Sequence, residues 1–531
     1  MKTQYVKFIS LLAALAMQLS LQGQSFTWFN QAGTDGSGVY SDGTHVYRVG
    51  YFSTTTTAGS STLTSAGNYD ILVTKSDLDG NVIWARNYGG TNEERGSGLC
   101  VDPAGNVYIT GYFTGTTTIG ATSYTNGATW SEDAYIAKLD ASGNLLWSKQ
   151  IANSSYCRGL SVSCDATGSH VYLLGTFQGT LTIGTSTLTQ PGYNNNFVAK
   201  LTSSGSVVWA NNYGQSEARK LRIDAGGNGY FLCQYFGSTT VGGNTLSSGG
   251  SLVPGSFVAK FDPSGTILSA VNFGGCLLFS FCLDGSSNIW ATGKISSSAT
   301  LGSFSLTSNG NDDILVVRAS PGGSITLAKN YGSSPSEFGG AICADASGNI
   351  YIAGNKANTA ALGSLSAAGG AYFLRLDNTG AEQSLFTIPG TVLGDQANDL
   401  CPDNNGHVFA TGMFYASVSQ PISVNTTTYT QGGGFLARLH SGSASGIAEG
   451  GHLKGLSVYP NPATDILYLS PDPYGAATGT LQILDACGRV VLQKDISSSV
   501  TGTSISELPQ GMYVLRLKTA EATYTGKFVK H

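Results

Sequence analysis

Apolar residues along this chain come in short alternating runs, and one run keeps returning. Asn106-Val107-Tyr108-Ile109-Thr110-Gly111-Tyr112-Phe113 places β-branched and aromatic side chains along an extended segment. Variants of this frame read from Thr44 to Phe52, Ser169 to Phe177, Asn228 to Phe236, Asn288 to Lys294, Asn349 to Gly354 and His407 to Phe414. An aspartate stands at a turn before each copy: Asp42, Asp102, Asp165, Asp224, Asp284, Asp345 and Asp403. Neighbouring aspartates lie 58 to 63 residues apart. A strand-rich period of that length marks a repeat architecture.

The second copy shows the unit. Gly98 to Val101 predicts a first strand. Asp102-Pro103-Ala104-Gly105 predicts a tight turn, in which the aspartate bonds its own backbone, the proline fixes φ and the glycine takes positive φ. Val107 to Phe113 predicts a second strand, followed by a Thr- and Gly-rich loop to Glu132. Asp133 to Leu139 predicts a third strand, Asp140-Ala141-Ser142-Gly143 a second turn, and Asn144 to Gln150 a fourth strand. Seven such units predict an all-β chain built around a seven-bladed β-propeller of four-stranded blades.

The fourth strands carry a marker at Trp84, Trp147 and Trp209, which drifts later to Ile267-Leu268-Ser269 and Ile325-Thr326-Leu327. The seventh unit ends at Gly434 to Leu439 with no fourth strand behind it. Phe26-Thr27-Trp28-Phe29-Asn30-Gln31-Ala32-Gly33 matches the fourth-strand pattern Val207 to Gly214. Residues 26–32 are therefore expected to close the seventh blade, and the propeller to span residues 24–440. An open array of seven units would leave Trp28 unexplained. Residues 441–456 read as a flexible Gly/Ser/Ala-rich linker. The short alternating runs of residues 457–531 predict a small β-sandwich.

Ahead of the repeats, Lys2 and Lys7 precede an apolar stretch from Phe8 to Leu21, with small residues at Gly23 and Ser25. Residues 1–23 read as a secretory signal, and no cysteine at the cleavage region suggests a lipid anchor. No later apolar run is long enough for a transmembrane segment. Glycine makes up 72 of 531 residues and charged residues only 11%, yet 41% of the chain is hydrophobic, so there is ample surface to bury. The net charge of −5 carries no basic stripe, and no nucleic-acid partner is expected. Cys100, Cys282, Cys343 and Cys401 hold one equivalent position and read as small buried apolar residues too far apart to bridge. Cys157–Cys164 and Cys276–Cys282 are close enough in sequence to pair, and both pairings stay open.

Two resemblances follow from these segments. Tyr459-Pro460-Asn461-Pro462-Ala463, then Asp485-Ala486-Cys487-Gly488-Arg489, then the run from Leu508 to Leu515 containing Gly511 and Tyr513, and the basic end Lys527 to Lys530 resemble the C-terminal sorting domain of the type IX secretion system. The resemblance implies a Bacteroidetes-type bacterium, Sec export, and outer-membrane passage with the type IX machinery as partner. The protein would then be secreted or displayed on the outer cell surface. Residues 35 to 440 resemble the SBBP type of β-propeller repeat, through the turn Asp-x-x-Gly-Asn, the strand ending Thr-Gly, and Asp133 to Asp140. Repeat four departs from it with Cys233 in place of the glycine at Gly111. This second resemblance implies a fold and no reaction or cofactor.

Candidate chemistry falls on the loops between second and third strands, which offer Thr114, Thr116 to Thr118, Tyr124, Trp130, Tyr193, Asn194 to Asn196 and Tyr429, a mixture suited to sugar or peptide surfaces. Asp35, Glu94, Glu217, Glu337 and Asp395 recur seven or eight residues before the turn aspartates. Gathered at a channel mouth, they would hold Ca²⁺ through oxygen ligands. Alternatively each caps the start of its own strand, and recurrence by repeat favours that. A basic residue recurs in every third strand, at Lys75, Lys138, Lys200, Lys260, Arg318, Arg375 and Arg438, which suggests contacts within the ring. His45, His170 and His407 sit beside the turns, and there is no Cys/His metal spacing, nucleophile elbow or phosphate loop. The expected function is a non-catalytic binding or adhesion module for an extracellular glycan or protein. A polysaccharide-acting enzyme and a structural part of a surface assembly are the alternatives.

Overall fold

The structure is a computed structural model, and it describes residues 26–126, 131–152, 155–333, 336–356, 361–367, 369–389, 396–403, 405–417, 422–424, 427–439, 453–455, 458–459, 461–469, 479–484, 490–496, 502–519 and 523–531. The turn aspartates set the local geometry. Asp102 accepts the backbone N–H of Ala104 at 3.0 Å and of Asn106 at 2.9 Å, the Asn106 amide at 2.8 Å and the Tyr108 hydroxyl at 3.3 Å. Asp345 repeats this with Ser347, Asn349 and Tyr351, and Asp284 holds the Trp290 indole at 3.0 Å. Gly105 closes the turn at φ +81°. One side chain thus ties a hairpin together and anchors the first large ring of the next strand.

Among the described residues there are seven four-stranded antiparallel sheets. Their first strands are Asp35–Ser41, Glu94–Val101, Cys157–Cys164, Glu217–Ile223, Leu277–Leu283, Phe338–Ala344 and Gln396–Pro402. Each packs on the first strand of the following sheet, and Gln396–Pro402 packs on Asp35–Ser41, so the cycle closes into an all-β, propeller-like ring. The fourth strand of the last sheet is Phe26–Gln31, antiparallel to Gly433–Leu439, with Phe29 opposite Ala437.

Apolar faces of adjacent sheets share one core: Tyr47, Val49 and Ile71 of the first sheet pack with Leu99, Ile109 and Tyr135 of the second. A polar staple repeats at four of the junctions. Trp84 Nε1 and Lys75 Nζ both donate to the Ala141 carbonyl in the next sheet, at 3.1 and 3.3 Å. Trp147 and Lys138 share the Ser203 carbonyl, and Trp209 and Lys200 share that of Pro263. At the chain ends Trp28 and Arg438 share the Leu78 carbonyl at 2.9 and 3.2 Å. Lys75, Lys138, Lys200, Arg318 and Arg438 therefore join neighbouring sheets, while Arg375 bonds Asn349 of its own sheet, and most of the recurring basic residues lie over a ring of their own second strand, as Lys138 does over Tyr108 at 4.9 Å.

Three expectations change. The loops between second and third strands carry a further short hairpin, as in Thr116–Ile119 paired with Thr122–Thr125. Alternation of outward Thr with a buried Ile119 makes strand from a loop-like composition. In the third sheet the strands His170–Ile183 and Ser186–Thr202 run through the hairpin unbroken. Neither cysteine pairing that spacing left open occurs: Cys157 and Cys164 stand at opposite ends of one strand, and Cys276 precedes another strand that holds Cys282 near its far end. A strand of that length separates its ends by about 20 Å, far beyond disulfide reach. Instead Cys100 and Cys164 of the neighbouring sheet pack into one core, and burial pushes the Cys100 pKa up. Finally, Leu453–Gly455, expected within the linker, pairs in parallel with Thr523–Lys530.

The C-terminal unit has a five-stranded and a three-stranded sheet. Ala463, Leu467, Leu481, Ile483, Ile505, Leu515 and Phe528 form its common core. Tyr459 stacks on Tyr468 at 5.7 Å, and Tyr513 on Phe528 at 5.5 Å while donating to the Pro509 carbonyl at 2.8 Å. Asn461 accepts the Val529 N–H at 3.0 Å, and the Ala463 carbonyl accepts that of His531 at 2.9 Å. The Asn461-Pro462-Ala463 segment thereby fastens the last strand, next to Gly511, which starts the strand paired with it. Pro460 and Gly488 lie outside the described residues. No helix among the described residues is long and apolar enough to cross a membrane.

Candidate functional site

The register slips at the same place in all seven first strands, between Gly36 and Gly38, Gly96 and Gly98, Gly159 and Ser161, Ala218 and Lys220, Leu278 and Ser280, Gly339 and Ala341, and Ala397 and Asp399. The extra residues are Ser37, Ser97, Leu160, Arg219, Phe279, Gly340 and Asn398. A bulge leaves one residue unpaired and re-aims its side chain. It also explains the Thr-Gly ending of the second strands. A Cβ on Gly50, Gly111, Gly175, Gly293, Gly354 or Gly412 would overlap the carbonyl of the bulged strand, that of Arg95 in the case of Gly111. Cys233 is the exception, buried in the fourth sheet, and nothing in the structure explains why it is tolerated there.

Ser37, Ser97, Leu160 and Arg219, with Asp35, Tyr51, Arg95 and Tyr112, line a cavity of about 260 Å³. One position further along the first strands stand Gly38, Gly98, Ser161, Lys220, Ser280, Ala341 and Asp399. Lys220 Nζ lies 2.7 Å from Asp399 Oδ1, and Asp399 Oδ2 accepts the Val39 N–H at 3.2 Å. The fourth and seventh sheets are not neighbours in the cycle, so this pair reaches across the ring. Small residues at the other five positions leave it the room. Burial lowers the Lys220 pKa.

Three arginines on successive sheets share one design, and Arg95 and Arg219 among them line the cavity. The Arg95 guanidinium lies 4.4 Å from the Tyr51 ring centre and 5.0 Å from that of Tyr69, with Nε 2.7 Å from Glu93. Arg158 lies 4.3 Å from Tyr112 and 5.0 Å from Tyr156, and forks onto Glu132. Arg219 lies 5.8 Å from Phe279, 3.1 Å from Glu217, and donates to Gln234 at 2.6 Å. Each side chain stays about a third exposed, at 32, 33 and 32%. The sequence held a faint signal for this in Glu93-Glu94-Arg95 and Tyr156-Cys157-Arg158. The partners come from different strands, so spacing alone could not assemble them.

The recurring acids have separate local partners. Asp35 accepts the Asn398 amide at 2.8 Å, and burial raises its pKa against the pull of Arg48. Arg48 is itself buried at the seam between the chain ends, donating to Thr411 at 3.0 Å and to the Ala32 carbonyl at 2.7 Å. Glu94 accepts the Gly90 N–H at 2.9 Å, and burial pushes its pKa to about 7. Glu337 accepts the N–H and hydroxyl of Ser333, and Glu217 pairs with Arg219. Asp395 lies outside the described residues. Among the described residues no three His, Cys, Asp or Glu side chains come close enough to hold a metal ion.

Of the loop residues, Thr116 and Thr118 are exposed, Tyr124 bonds Ser148 at 2.9 Å, Asn196 bonds Ser216 at 2.7 Å, and Tyr429 donates to the Phe29 carbonyl at 3.2 Å. Trp130 and the Tyr193 side chain lie outside the described residues. His170 and His407 face their own turn aspartates at 3.0 and 2.7 Å.

Residues 457–531 match the family model described as a secretion system C-terminal sorting domain. A tail of this kind indicates export to the cell surface or secretion. An uncharacterised WD repeat-containing protein of Acanthamoeba polyphaga mimivirus is 29% identical over 116 residues, 21% of this chain and 8% of that protein's length. Among solved structures, U3-55K overlaps 78% of this chain and 98% of its own at 7% identity and a TM-score of 0.44. The WD40 β-propeller domain of Doa1 overlaps 80% of this chain and 98% of its own at 9% identity and a TM-score of 0.42.

Proposed function

We propose that this chain is a non-catalytic binding or adhesion protein, exported by type IX secretion and working outside the cell on a glycan or protein. In this reading the seven sheets are the blades of one closed propeller of the SBBP type, sealed by residues 26–32, and residues 457–531 form a two-sheet sandwich recognised by the secretion machinery. The observation that carries the reading is the contrast between a repetitive frame and seven non-repeating bulge residues. The frame repeats its turns, staples and cores, while the bulges present Ser, Ser, Leu, Arg, Phe, Gly and Asn at one level of the ring. Rigid elements with variable side chains at one place suit recognition. The test is a combined array of extracellular glycans and surface proteins, run with a hydrolase screen on the same preparation. Saturable binding without turnover is the expected result. Turnover that survives purification and disappears with one carboxylate substitution would overturn the non-catalytic reading.

A further inference from the structure

We infer that the cavity at the bulge level takes one uncharged sugar unit of a glycan. This deepens the proposed binding function by fixing its site and ligand class.

The cavity is small, about 260 Å³, which suits one ring of a chain and not an extended face. Its polar groups alternate in kind. Arg95 and Arg219 present N–H donors, the lining carboxyl of Asp35 presents acceptors, and Ser37 and Ser97 offer hydroxyls of both kinds. Vicinal sugar hydroxyls, each a donor and an acceptor, match such an alternation. Leu160 and the parts of the Tyr51 and Tyr112 rings that Arg95 and Arg158 leave uncovered supply the apolar surface that a pyranose C–H face requires.

Charge decides against the rival ligand. The two lining arginines, Arg95 and Arg219, are each paired with one carboxylate, from Glu93 and Glu217, and Asp35 adds a carboxyl to the lining. An anionic ligand would have to displace one of these carboxylates or lie beside it, and a cation would meet the guanidinium in the same way. A neutral polyol keeps both pairs intact. Stacking on Tyr51, Tyr69, Tyr112 and Tyr156 fixes the guanidinium planes in advance, so little order remains to be imposed when the ligand arrives.

The test uses the mature full chain on an array with three arms: neutral oligosaccharides, uronic-acid oligosaccharides and sulfated oligosaccharides. Two variants address the cavity, Ser97→Trp to fill it and Arg219→Gln to remove one donor edge. Thr118→Ala on an exposed outer hairpin is the control, and thermal melting checks that each variant folds. The expected result is saturable binding to a neutral member, weakened at least about tenfold by both cavity variants and untouched by Thr118→Ala. Binding confined to the uronic or sulfated arm would overturn the ligand class. Neutral-glycan binding unchanged by both folded cavity variants would overturn the site while leaving the proposed binding function standing. Absence of binding on every arm would overturn this inference, and absence on the protein array as well would overturn the proposed function with it.

Discussion

Replacing Phe29 with alanine attacks the ring at the seam where its two chain ends meet. Phe29 is only 9% exposed and has four aromatic neighbours, Phe26, Phe414, Tyr429 and Phe435, with ring centres 5.1 to 5.5 Å away. The corresponding fourth-strand positions hold Ser148 and Ala210, so this bulk is particular to the seam. Truncating a buried phenylalanine costs about 3–5 kcal/mol through lost transfer energy and the cavity left behind. The upper half of that range applies, since the neighbours belong to four different strands and cannot collapse together. Trp28→Phe makes the contrast: the indole is half-buried and loses one hydrogen bond to Leu78, a loss of about 1 kcal/mol. Urea unfolding of the mature chain, followed by tryptophan fluorescence and far-ultraviolet circular dichroism, reads both. Phe29→Ala should lower the midpoint several times more than Trp28→Phe. Deleting residues 24–33 should leave Gly433–Leu439 as an open edge and broaden the transition. A Phe29→Ala loss below about 1 kcal/mol, with unchanged unfolding of the deletion, would refute the reasoning.

Glu94 carries a folded-state pKa near 7 against an ordinary 4.5, because burial disfavours its charge. The raised pKa means that its contribution is full below about pH 4.5 and is lost as pH rises through about 7, by at most about 3 kcal/mol. Glu94→Gln should therefore raise the melting temperature near pH 8 and leave it unchanged near pH 4, and equal effects at both pH values would contradict the assignment. Lys220→Met should cost about 3–5 kcal/mol by stranding Asp399, while Lys220→Met with Asp399→Leu should recover most of it; additive losses in the double-mutant cycle would deny the cross-ring pair. Gly111→Ala should cost at least about 1–3 kcal/mol, because its Cβ would overlap the Arg95 carbonyl at the bulge, and a neutral effect in calorimetry would mean the bulge relaxes freely.

The strands and turns were legible because each leaves a local mark. The β-branched and aromatic run at Val107 to Phe113 and the aspartate at Asp102 concern neighbours within a few residues. The features that distinguish the ring centre have no such mark. A single bulged residue such as Ser97 barely disturbs an alternation that is already weak in a glycine-rich strand. Lys220 and Asp399 are 179 residues apart and look like any surface charges. Arg158 reads as a solvated residue until folding brings Tyr112 and Glu132 onto it from another sheet. The short hairpins were missed since Thr, Ser and Gly serve exposed strands as well as loops. The acids recur by repeat, yet Asp35, Glu94, Glu217 and Glu337 have different partners, because the residues opposite them do not repeat.

The central claim is that the tail carries a binding ring out of the cell. Antibody labelling of an epitope in the ring, on intact and on permeabilised cells, tests this with the full chain and with a chain lacking residues 457–531. The full chain should label intact cells or appear in the medium, and the shortened chain should label only after permeabilisation. Equal surface labelling of both would contradict the account.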